Sequence, residues 1–114
     1  MEEAETNAQE EIARIKAETE RDQEIKIKYK AVKKIVSEDG QHLMYLRQPS
    51  RMAVGYFMAK YGENRVEAVE YVLNDSCIQE VSDYAYFIQD EVFYGIMSEL
   101  ISLISLKKSS FTTL

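Results

Sequence analysis

The chain has 114 residues, with one cysteine, one proline, four glycines and no tryptophan, and 46% of its residues are hydrophobic. That length allows one domain with a modest core, and the scarcity of helix breakers excludes a collagen-like or low-complexity chain. The formal charge of -6 excludes a nucleic-acid binder that works by phosphate attraction over its whole surface.

Residues 1–24 carry nine acids against three bases and read as a charged helical arm. Ala8, Ile12 and Ile15 recur at helical spacing and leave a thin apolar stripe. A stripe that narrow buries little. The arm is therefore either a solvated extension, marginal as a helix in water, or an arm that docks on another subunit.

Residues 25–114 read as a small α+β domain, a hairpin followed by three helices. The charge reverses over residues 25–51, with seven bases against two acids, and turns acidic again beyond. Such alternation suits attraction within one chain or between copies, and a homo-oligomer is expected. From Ile25 the period becomes two: Ile25, Ile27, Tyr29 and Ala31 alternate with Lys26, Lys28 and Lys30, as in a half-exposed strand. The pattern slips at Val32–Lys34, where a bulge fits, and resumes to Val36. Ser37-Glu38-Asp39-Gly40 supplies turn chemistry. Gln41 to Arg47 is a second strand, with His42, Met44 and Leu46 on one side and Leu43, Tyr45 and Arg47 on the other. Two strands alone are barely stable, so the hairpin must lie on helices or pair with a partner's strand.

Pro49 suits the first turn of a helix that runs to about Tyr61 and stops at Gly62. Asn64 and Glu67 are spaced as a cap and its partner for a second helix, with Val66, Val69, Val72 and Leu73 as its buried face. Residues 77–87 read as short and irregular, with room for one helical turn. Asp90 caps the last helix, predicted to reach Leu106, with Lys107 and Lys108 at its negative end. Its apolar face is broad: Val92, Phe93, Ile96, Met97, Leu100, Ile101 and Ile104, extended by Leu103 and Leu106. Either the face fills the centre of a small bundle, or it waits for a partner.

Residues for catalysis are sparse. One histidine and one cysteine give no metal spacing, and there is no glycine-rich phosphate loop. His42 reads as a half-exposed strand residue and Cys77 as a small core residue. The lysines of residues 26–34 lack an aromatic stacking platform and read as a solvated face. No catalytic residue, cofactor or metal is expected, nucleic acid is not expected as a partner on charge, and no apolar run is long enough for a membrane span. The unpaired cysteine and the lack of a signal peptide at the start point to a reducing cytoplasmic compartment.

From about Tyr29 to Lys108 the chain resembles the small tail assembly chaperones of tailed bacteriophages and prophages. The resemblance rests on an ordered series: a hairpin ending in Tyr45-Leu46-Arg47-Gln48-Pro49-Ser50-Arg51, a helix ending in Val72-Leu73-Asn74-Asp75-Ser76-Cys77-Ile78, and Asp90-Glu91-Val92-Phe93 opening a final helix. It implies a non-enzymatic protein that binds the tape-measure protein during tail assembly in the host cytoplasm. Residues 1–24 and the run Ser109 to Leu114 depart from that pattern. A structural virion component, in a ring or packaged in the particle, is the alternative. In the first case Phe93, Ile96, Met97, Leu100 and Ile104 are the expected anchors for apolar helical segments of the partner, with Met97 adapting to its shape.

Overall fold

The computed structural model describes residues 2–104, with side chains from Asn7 onward. The architecture is α+β, an N-terminal long helix leading into a two-stranded antiparallel hairpin and a helical C-terminal half. The elements are α1 (Glu2–Tyr29), β1 (Ala31–Val36), β2 (Leu43–Arg47), α2 (Arg51–Lys60), α3 (Arg65–Ser76), a single 3-10 turn (Gln79–Val81), α4 (Tyr84–Phe87) and α5 (Asp90–Ser102).

The first strand starts later than the alternation predicts, because α1 continues to Tyr29. Ile25, Ile27 and Tyr29 are helical. At helical spacing Asp22, Ile25 and Tyr29 share one face, and that face meets the hairpin: Ile25 is buried and Tyr29 half-buried. Ile27, which only a strand would have turned inward with them, is 78% exposed. Lys26 and Lys28 stand in the last turn, where cations suit the helix's negative end. Lys30 then takes a positive φ of 60° and turns the chain into β1 within one residue.

β1 pairs with β2 in the register Lys33 to Leu46, Ile35 to Met44 and Val36 to Leu43, with the expected bulge between Ala31 and Lys33. The turn between them is held by Asp39, which accepts from the Gln41 N–H at 2.9 Å and from the Ser37 hydroxyl. Gly40 there has a φ of 72°, a backbone that L side chains rarely adopt.

The two sides of β2 enter different cores. Met44 and Leu46 join Ile35, Phe57, Val69, Val72, Leu73, Phe87, Phe93 and Leu100 in the main cluster. Tyr45 joins Ile25, Ala31 and Ile78 in a smaller cluster under the end of α1. α1 is fastened there by Asp22, which accepts from the Tyr45 hydroxyl and pairs with Lys34 at 3.1 Å.

Ser50 caps α2, its side chain accepting from the Ala53 N–H at 3.1 Å. Pro49 stands before the cap and is buried, so it precedes the helix that it was expected to open. Asp75 at the end of α3 accepts from the Ser50 N–H at 2.8 Å, which ties the start of α2 to the end of α3. α2 ends at Lys60 with Tyr61 as its cap in a right-handed conformation, and the Asn64 N–H is bonded to the Lys60 carbonyl, so Gly62 does not supply the left-handed residue its position predicts. Asn64 caps α3 by accepting from the Glu67 N–H. Val69, Val72 and Leu73 are fully buried, but Val66 in the first turn is exposed and Ala68 takes its place inward. Before α5 the cap position is Gln89, and Asp90 is the first helical residue, favoured there by the helix dipole. α5 ends at Ser102, short of the predicted Leu106; Leu106, Lys107 and Lys108 lie outside the described residues.

Candidate functional site

Four of the expected anchors lie on α5 and Ile104 in the turn just after it, and most of the surface they form is turned into the protein. Leu100 is fully buried, Phe93 and Ile104 are nearly so, and Ile96 and Met97 are half-buried against the same cluster. Leu103 is also buried. A partner reaches Leu100 only by lifting α5 off the core. This burial answers the breadth of the apolar face: the central part of it is core.

What α5 leaves open lies on its flank. Between β1 and α5 runs a groove of about 680 Å³ lined by Lys33 to Glu38 on the strand side and by Glu91, Val92, Gly95, Ile96 and Glu99 on the helix side, with Tyr86 and Phe87 between. Of the five expected anchors, only Ile96 lines it. Phe93 instead borders a smaller cleft of about 110 Å³ with Val66, Leu73, Ile88 and Tyr94. Gly95 sits bare on the groove wall, with nothing within 4 Å of where a Cβ would be.

Hydrogen-bond parity makes the strand side of this groove distinctive. The Ser37 N–H bonds to the His42 carbonyl at 2.9 Å. Alternation along an antiparallel pair then turns the backbone groups of Lys33 and Ile35 toward β2, and those of Lys34 and Val36 away from it. On the opposite edge of the hairpin, the outward groups of Leu43 and Tyr45 are used. The Leu43 N–H donates to the Asp83 carboxylate at 3.0 Å and the Tyr45 N–H to the Ser82 hydroxyl at 2.9 Å. The Leu43 and Tyr45 carbonyls accept from the Asp83 and Ile78 N–H groups. On the β1 edge, Lys34 and Val36 have no such backbone partners among the described residues.

One end of the groove is closed by Lys33, whose Nζ pairs with the Glu99 carboxylate at 2.6 Å and donates to the Ser102 hydroxyl at 2.7 Å. Glu38 and Glu91 are exposed at its other end. Near the turn, the His42 ring stacks on Tyr86 at 3.9 Å, with Nδ1 3.7 Å from the Asp83 carboxylate. This matches a half-exposed structural role.

The perturbed titrations lie outside the groove. Burial and the neighbouring Asp22 push the Tyr45 hydroxyl up to about 12. Burial raises Asp22, but its hydrogen bonds from Tyr45 and Lys34 outweigh that and hold it below the usual value. Burial likewise raises the Cys77 thiol, a core residue as its sequence setting predicts. Among the described residues no cluster of His, Cys, Asp and Glu is arranged to hold a metal ion, and no helix is long and apolar enough to cross a membrane. Comparisons with family models, with curated proteins and with solved structures returned no match to this chain.

Hydrophobic weight, the property that singles out these anchors in the sequence, marks the core as readily as a docking face. The groove has fainter signals. A two-stranded sheet always has a second edge, and Gly95 interrupts an otherwise strongly apolar helix.

Proposed function

We propose that this chain is a non-enzymatic morphogenesis factor of a tailed phage, a tail assembly chaperone that holds an apolar segment of the tape-measure protein. The observation that supports this reading best is the groove between β1 and α5, which combines an open strand edge with the apolar side chains of Val92 and Ile96. An extended segment laid there would bond its backbone to Lys34 and Val36 and set alternate side chains against α5, the physics of strand addition. This moves the proposed contact from the buried face of α5 to its flank. On this reading the protein acts through binding alone, with no cofactor or catalytic group, in the host cytoplasm while tails assemble.

Co-expression with the tape-measure protein tests the reading. A soluble complex is expected, and Gly95→Leu, which projects a side chain into the groove, should abolish it while leaving the fold intact. Absence of any complex with the unaltered chain, together with unchanged solubility of the tape-measure protein, overturns the proposal.

A second reading, a structural virion component in a ring or inside the particle, is favoured by the long exposed stretch of α1. Mass spectrometry of purified particles separates the two: a chaperone is absent from mature virions, and a structural protein is present in stoichiometric amount.

A further inference from the structure

α1 has two stretches in different surroundings. Its last turns are docked on the hairpin through Asp22, Ile25 and Tyr29. Residues 7–21 are exposed on every side, Ile12 at 65% and Ile15 at 50%. At 1.5 Å per residue, this stretch reaches roughly 20 Å beyond the docked turns. A helix with no tertiary support is marginal in water, and its large apolar residues gain nothing from solvent.

The positions of those residues are regular. Ala8, Ile12, Ile15 and Thr19 succeed one another at intervals of four, three and four, the seam of a coiled coil. In that frame Ile12 and Thr19 take the first core position of successive heptads, and Ala8 and Ile15 the second. The seam reaches Asp22 where α1 meets its own hairpin, so it belongs to the free stretch alone.

The flanking charges choose an orientation. With two copies parallel and in register, Glu11 beside the core of one helix faces Lys16 of the other, and Glu18 faces Gln23. An antiparallel pair centred on Ile12 and Ile15 brings Glu11 opposite Glu18 instead. Arg14 stands on the outer side, where it bridges Glu11 and Glu18 of its own helix at 3.7 and 3.8 Å.

We infer that the free stretch of α1 is a homotypic docking surface whose occupant is the same stretch of a second copy, parallel and in register. The bodies of the copies then lie at the same end of the bundle, and the groove between β1 and α5 remains a separate surface. The inference therefore stands whether or not a tape-measure segment binds.

Sedimentation equilibrium of the full chain, from micromolar to millimolar concentration, is the test. Reversible association is expected. Ile12→Asp and Ile15→Asp should each abolish it without changing the thermal transition of the body, because neither side chain touches it. Glu11→Lys and Lys16→Glu should each weaken association by roughly tenfold, the scale of the two symmetry-related exposed pairs, and the double reversal should restore it. A chain monomeric at every concentration overturns the inference, as does association indifferent to Ile12 and Ile15. Tighter association of Glu11→Lys alone overturns the parallel arrangement.

Discussion

The two strands of the hairpin have similar lengths and opposite fates. β2 is covered on both faces, by the main core below Met44 and Leu46 and by α1 above Tyr45, and its outer edge is bonded to the segment from Ile78 to Asp83. β1 shares the faces but keeps an open edge, with Val32 exposed at its bulge. The difference does not come from propensity. It comes from the later path of the chain: the segment after α3 returns alongside β2, and the helix that passes β1 stands off by the width of a groove. An edge left open on a small sheet is normally a hazard that proteins blunt with lysines and bulges. β1 has both, Lys33 and Lys34 and the step at Val32.

The largest effect that tests this contrast is expected at the centre of β2. Leu46→Ala should lower stability by about 2–5 kcal/mol, the range for emptying a buried leucine site, measured by urea unfolding. Asp83→Ala removes the carboxylate that accepts from the Leu43 N–H, and should cost about 0.5–1.5 kcal/mol, since the bond is open to solvent, while hydrogen exchange at Leu43 rises toward the rates at Lys34 and Val36. If Lys34 and Val36 already exchange as slowly as Leu43, the two edges are equally sealed and the contrast fails.

Asp22→Asn probes the cover that α1 lays over Tyr45. The carboxylate is partly exposed, so the cost is expected below about 1 kcal/mol. Its pH dependence has a definite sign. A carboxyl held below its usual 3.8 in the folded protein contributes fully above that value, and the contribution is lost as pH falls through the lowered one. Thermal melts should therefore show a loss below about pH 4 that is smaller in the Asn variant. The smallest effect belongs to β1: Val32→Ala should change stability by no more than about 0.5 kcal/mol, because its side chain faces solvent.

The pattern of elements was legible because each depends on local chemistry. Asn64 and Glu67 mark the start of α3, Gly40 marks the hairpin turn, and the bulge shows as a slip in alternation. The boundary at Ile25 was not, because isoleucines and lysines in alternation satisfy a strand, while the same residues with Asp22 satisfy a helix whose face has something to dock on. Only the hairpin's upper surface decides between them. The site was legible in one half. The need of a two-stranded sheet for further partners comes from its size, but which edge stays open depends on where Ile78 to Asp83 returns, and no local pattern encodes that. The weight of Phe93, Leu100 and Ile104 is real, and α3 and the hairpin absorb it.

Lys30 gives the arrangement a mechanical side. A non-glycine residue at a φ of 60° costs roughly 1–2 kcal/mol, and here it replaces a loop, so α1 and β1 meet with no slack between them. α1 is thus a lever fixed to the strand that borders the groove. Asp22, bonded to Tyr45 and Lys34, holds α1 a second time about two turns before Lys30, so the direction of the helix relative to β1 is set at two points rather than one.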